Sequence, residues 1–181
     1  MTPAERELAL NQLAESRERL LRTVHGLSET QLTYKPRPDR WSVADLIEHL
    51  AVVETRILGL IQQSLATAPD PSKRGAMTDE ALVEDVAGRV TRFQAPEFLA
   101  PTGRWTAEQR VPEFEAARKR TVEFVAGTNA DLRRHFARHP VLGELDCYQW
   151  VLLLSAHCDR HRAQGEEVKA DAGFPRAAAA G

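Results

Sequence analysis

Cysteine is scarce in this chain: among 181 residues there are only Cys147 and Cys158. Two thiols are too few for a disulfide framework, and without a CxxC pair neither a zinc ribbon nor a thioredoxin-type site is expected. An excess of positive charge is also missing. Lys and Arg number 24 against 26 Asp and Glu, for a formal net charge of -2, which speaks against a nucleic-acid binder and its basic footprint. Apolar runs are short. Val151-Leu152-Leu153-Leu154 falls far below the roughly 20 residues of a membrane span. The opening Met1-Thr2-Pro3-Ala4-Glu5-Arg6 lacks the basic region and apolar stretch of a signal peptide. These absences lead to the expectation of a cytoplasmic protein with no nucleic-acid and no membrane partner. No β alternation of useful length and no internal repeat at a period of 20–50 residues is visible either.

What is present is helical patterning in a chain of one-domain size. Apolar residues make up 43 % and charged residues 28 %, which is average globular usage. Thr2, Pro3 and Glu5 start a helix expected over 3–25, with Leu8, Leu13, Leu20, Leu21 and Val24 at helical spacing and Gly26 as its stop. Ser28 to Gln31 can form one capped turn, after which Pro36 and Pro38 prevent a regular helix. Ser42 caps a second long helix, 42–65, with Asp45 in its first turn and Trp41 placed to staple against Leu46 or Ile47. Residues 66–76 read as a loop, 78–90 as a short helix capped by Thr78, and 92–106 as irregular. Phe93, Phe98, Leu99 and Trp105 suggest that this stretch packs over something. A third long helix is expected over 107–126, with Pro112 shifting its effective start towards that residue. Asp131 to His139 reads as a short helix or turn, and the segment from His139 to Gly143 as a breaker. Asp146 and Gln149 then open a fourth helix with a capping-box pattern. The expected fold is all-α, a four-helix bundle over 1–171 with a long crossover between helices 2 and 3 and a flexible tail at 172–181.

Three histidines carry the chemistry. His157 and His161 are one turn apart on a helix face, so both imidazoles can reach one ion. Spacing alone leaves open a pair satisfied by water or carbonyl groups, and Cys158 stands where an HExxH motif has Glu. His49 lies on the apolar face of helix 2, where an inward histidine needs a partner. Three neutral imidazoles plus one water make up an open catalytic zinc site. A hydrogen-bonded core histidine is the alternative. Asp45, one turn before His49, is a candidate to support that ring or a simple first-turn acid. Glu48 points roughly 100° away from it. Gln164 either lines the pocket or closes a polar stripe. Cys158 is rotated off the histidine face and reads as a buried inert thiol. Cys147 stands near a helix N-terminus with no base partner. Arg133, Arg134, His135, Arg138 and His139 read as a solvated helix face. His25 suits a helix C-terminus. Trp41, Trp105 and Trp150 read as packing residues.

The segment Trp41-Ser42-Val43-Ala44-Asp45-Leu46-Ile47-Glu48-His49-Leu50 resembles the first metal motif of the DinB-like superfamily, the YfiT-like metal-dependent hydrolases. The segment from His139 to Leu145, followed by Trp150 and by His157-Cys158-Asp159-Arg160-His161-Arg162-Ala163-Gln164, resembles the second. The resemblance covers nearly the whole chain in helix order. It implies a four-helix bundle, a divalent metal ion (zinc or nickel) on His49, His157 and His161, and a homodimer. It also implies a small-molecule substrate: superfamily members include hydrolase-type proteins and transferases that use low-molecular-weight thiols. A non-catalytic bundle that binds a small ligand or serves as a stress-response interaction protein is the competing expectation. Residues 66–106 match no particular subfamily.

Overall fold

The computed structural model describes residues 1–89 and 96–176. Helix α1, Pro3–Val24, begins where Thr2 and Glu5 close a reciprocal capping box and Pro3 occupies the first turn. One short turn of helix, α2 (Glu29–Thr33), follows with Ser28 and Gln31 as its own capping box. Helix α3, Val43–Leu65, is capped by Ser42 and Asp45, and α4, Asp79–Ala87, by Thr78. Helix α5 spans Ala107–Gly127 and α6 spans Cys147–Lys169, the latter capped by Asp146 and Gln149. Each start thus uses a side-chain oxygen or capping pair to meet N–H groups that no carbonyl inside the helix can reach.

Side-chain pairings set the helix directions. Asp45 meets Arg110 and Glu54 meets Arg118, so α3 and α5 run parallel. Tyr148 meets the Glu5 carbonyl, Arg19 meets Asp159 and Thr23 meets Glu166, so α1 and α6 are also parallel. Arg6 reaches the carbonyls of Val125 and Ala126 while Arg118 reaches that of Leu13, which makes α1 and α5 antiparallel. The long helices therefore run up, down, down, up. A parallel neighbour to α3 requires the chain to return along a helix on the order of 30 Å long, and residues 66–106 make that return. They are not structureless: α4 packs on α6, and short helical turns form at Pro71–Lys73 and Glu97–Leu99.

Arg118 joins all four long helices. Only 1 % exposed, its guanidinium makes two bonds to Glu54 on α3, at 2.8 and 3.0 Å. It also donates to the Leu13 carbonyl and Ser16 on α1 and, at 3.5 Å, to the Leu154 carbonyl on α6. Around it lie two apolar clusters. One contains Leu13, Ile61, Leu82, Val125, Tyr148 and Leu152; the other contains Leu20, Ile47, Leu50, Phe114 and Cys158.

Three sequence expectations are corrected. A β-hairpin exists, β1 (Phe136–His139) with β2 (Gly143–Asp146), pairing antiparallel from Phe136↔Asp146 to His139↔Gly143. Four-residue strands are too short for period-two alternation to register. The hairpin is held instead by its turn, where Gly143 has φ +79° and His139 Nδ1 accepts from the N–H groups of Val141 and Leu142. Trp150 donates to the Ala137 carbonyl and ties it to α6. Consequently the basic run 133–139 is not one helix face: Arg133 and Arg134 lie on a single short helical turn, Leu132–Arg134, and Arg138 and His139 belong to β1. Arg133 pairs with Glu5, Asp79 and Asp146 and lies 4.1 Å from the centre of the Tyr148 ring. Finally, α5 does not wait for Pro112. It starts at Ala107 and takes the proline into its second turn; the N–H that proline lacks is one bond, and packing against α1 and α3 outweighs it.

At the other end, Tyr34 donates to Asp171 at 2.6 Å and its ring meets Phe174 edge-on, while Gln31 donates to the Pro175 carbonyl. The first residues of the expected tail are held against α2 by these contacts. Phe93 and residues 177–181 lie outside the described residues.

Candidate metal centre

His49 comes from the second turn of α3, and His157 and His161 from the middle of α6. Leu46, Ile47, Leu50 and Val53 are all buried and set the rotation of α3 that turns His49 inward. One helical turn separates His157 and His161, so their rings project from the same side of α6. One nitrogen from each of the three rings falls within 4.8 Å of the others. His49 Nε2 is 3.3 Å from His157 Nε2, and His161 Nε2 is 3.0 Å from the same atom.

The outward nitrogens decide how the inward ones behave. His49 Nδ1 lies 2.8 Å from the Leu99 carbonyl oxygen, a pure acceptor, so Nδ1 carries the proton. His161 Nδ1 donates to Gln164 Oε1 at 2.6 Å. Both Nε2 atoms are then left as lone pairs aimed at His157. One proton on His157 Nε2 can serve only one of these two contacts. Converging lone pairs without protons are what a cation satisfies. Nitrogens about 2.0–2.1 Å from a tetrahedral ion would stand about 3.3 Å apart, close to the two spacings seen. The residues fit a divalent metal ion.

Burial favours the same protonation state. It pushes His157 and His161 well below the ordinary imidazole value, and the neighbouring rings lower them further. His49 is lowered chiefly by burial as well. Neutral imidazole is the metal-binding form. No carboxylate or thiol joins the cluster among the described residues. An ion held by these three nitrogens alone would have a coordination position to spare.

Of the other residues singled out by sequence, Gln164 belongs to the site through His161. Trp41 does more than pack on α3: its ring centre is 4.9 Å from that of His49 and 6.1 Å from that of His161. The Asp45 carboxylate is engaged elsewhere than at His49, whose Nδ1 partner is Leu99: it completes the Ser42 cap and pairs with Lys35 and Arg110. Cys158 is buried against the Ser16 carbonyl, and burial raises its thiol to about 12. Cys147 is likewise raised to about 12 by burial and the adjacent Asp146. Neither serves as a thiolate here. Two participants carry no sequence pattern. The Leu99 carbonyl is a backbone atom of the crossover. Glu48 stands off the histidine face as its position demands, yet it is completely buried against that same crossover.

Residues 12–164 match the sequence profile of the DinB superfamily. The uncharacterized protein YuaE of Bacillus subtilis is 24 % identical over 156 residues, which span 86 % of this chain and 93 % of YuaE. A solved structure, YfiT from Bacillus subtilis, described as a probable metal-dependent hydrolase with an unusual four-helix bundle topology, superposes with a TM-score of 0.63 at 15 % identity. That likeness covers 97 % of this chain and 91 % of the YfiT chain and supports the fold. With the profile spanning most of its length, the chain belongs to the DinB superfamily.

Proposed function

We propose that His49, His157 and His161 hold one divalent metal ion, zinc or nickel, and that the protein is a metal-dependent enzyme of the hydrolase or low-molecular-weight-thiol S-transferase type. The observation that carries this reading is the pair of outward hydrogen bonds, His49 to the Leu99 carbonyl and His161 to Gln164, which turn two unprotonated nitrogens towards a common point. YfiT's description as a probable metal-dependent hydrolase supports it by analogy. A divalent ion held there would supply Lewis acidity, which would serve hydrolysis and thiolate transfer alike. The chain's own residues do the rest. Leu99 and Gln164 fix the ring tautomers, and Trp41 covers the His49 and His161 rings on one side.

Metal content tests the reading. Wild-type protein, purified gently and supplied with zinc or nickel, is expected to carry about one ion per chain. His49→Ala and His157→Ala are expected to carry much less. Equal, substoichiometric metal in all three proteins would reject the site. Loaded protein would then be screened with several low-molecular-weight thiols and electrophiles, beside an esterase and amidase panel. Full metal occupancy with no turnover in either screen favours the competing non-catalytic bundle. A homodimer is part of the same proposal on the family resemblance, and sedimentation at micromolar concentration checks it. Among the described residues no helix is long and apolar enough to cross a membrane.

A further inference from the structure

Glu48 immediately precedes His49, so its side chain leaves α3 about 100° away from the histidine. It enters the space between α3, α5 and the crossover and is 0 % exposed. One carboxylate oxygen, Oε1, accepts from the Thr102 N–H at 2.7 Å, the Gly103 N–H at 3.2 Å and the Thr102 hydroxyl at 3.3 Å. Two successive N–H groups thus converge on a single oxygen, and the chain turns away directly after them at Gly103, whose φ of +71° is a left-handed conformation that glycine takes without strain. Arg110 Nη2 stands 3.3 Å from the other oxygen and Arg104 Nε 3.5 Å from the first. Arg110 also donates to the Trp105 carbonyl, on the far side of the same loop.

The segment so clamped begins three residues after Leu99, whose carbonyl accepts from His49. Leu99 closes a helical turn formed by bonds from Leu99 N to the Pro96 carbonyl and from Ala100 N to the Glu97 carbonyl. Pro101, with its fixed φ, leaves little slack between that turn and Thr102. Consecutive residues of α3 therefore hold one short stretch of crossover from two directions. Histidine needs such a partner because its two neutral tautomers are otherwise close in energy, and the wrong one would put a proton where a metal must bind.

We propose that Glu48 is a positioning residue of the metal centre, whose carboxylate fixes the crossover at Thr102 and Gly103 so that the Leu99 carbonyl holds His49 with its Nε2 lone pair turned inward. This rests on the three-ligand reading above. The test uses Glu48→Ala, Glu48→Gln and, as a variant destabilised elsewhere in the bundle, Arg118→Lys. Two quantities are read: the His49 tautomer in metal-free protein, by long-range proton–nitrogen NMR, and zinc affinity, by chelator competition. Glu48→Ala is expected to mix the His49 tautomers and to weaken zinc binding about tenfold or more. Glu48→Gln keeps an acceptor for Thr102 and Gly103 and should fall between alanine and wild type. It carries the comparison if the alanine variant does not fold. Arg118→Lys should lose stability while keeping the tautomer and the affinity. A Glu48→Ala protein with a pure Nδ1–H His49 and wild-type affinity would overturn the proposal. So would an equal loss of affinity in Arg118→Lys at matched stability. Should wild type itself bind neither zinc nor nickel, the three-ligand reading fails, and the tautomer in metal-free Glu48→Ala decides the role of Glu48 alone.

Discussion

At the scale of single residues, the proposed centre rests on the hydrogen bonds of the outward ring nitrogens as well as on the three rings themselves. His161 depends on Gln164 as His49 depends on Leu99, but Gln164 is a side chain and can be exchanged. Gln164→Ala removes the acceptor 2.6 Å from His161 Nδ1, and zinc affinity should fall about 10- to 100-fold. Gln164→Glu retains an acceptor and should bind within a few-fold of wild type. Unchanged affinity in Gln164→Ala, measured by chelator competition, would mean that His161 is oriented by packing alone. Cys158 shows the contrary case. It is next to His157 in sequence, yet the geometry of α6 turns it into the core, where burial keeps it protonated.

At the scale of elements, the question is what holds four helices in an order that needs a long crossover. Arg118 and Glu54, at 1 % and 2 % exposure, form a buried ion pair whose remaining donors reach α1 and α6. Removing one partner leaves an uncompensated charge. Glu54→Leu or Arg118→Met alone should therefore cost about 3–5 kcal/mol. The double replacement should recover most of that loss, since two packed apolar side chains do not carry the cost of desolvating ions. Urea unfolding of the two single variants and the double variant gives the coupling directly. Additive losses would show that the pair is not a unit. Tertiary packing also explains why α5 tolerates Pro112: its buried face, including Phe114, Ala117, Thr121 and Val125, is set by its neighbours.

For the whole molecule, the three buried histidines link stability to pH, and an ion bound as proposed would add to that stability. His49, His157 and His161 all have lowered values in the folded chain. Below the unfolded histidine value of about 6.5, the unfolded chain binds more protons than the metal-free folded one. The stability contributed by these rings is thus complete above that pH and is lost as pH falls towards the folded values. The slope reaches at most about 1.4 kcal/mol per pH unit for each ring. Metal-free protein should show a lower urea midpoint at pH 5.5 than at pH 7.5. Zinc at 100 times its Kd should add about 2.7 kcal/mol at the higher pH. A metal-free midpoint that does not move between these two pH values would contradict the buried, neutral state of the rings.

The amino-acid sequence by itself determined the helices and singled out the three histidines that the fold brings together. Capping pairs at Thr2/Glu5, Ser42/Asp45 and Asp146/Gln149 mark three of the four long helix starts, because a cap is a local device written within four residues. The i,i+4 spacing of His157 and His161 and the apolar face carrying His49 are equally local. Only the tertiary structure decided how these pieces meet. The parallel pairing of α3 with α5, the hairpin at 136–146 and the Arg118–Glu54 bridge join residues far apart in the chain, which no periodicity encodes. The same holds at the centre. The Leu99 carbonyl has no side-chain signature, and Glu48 looks like an ordinary off-face acid until the crossover folds onto it.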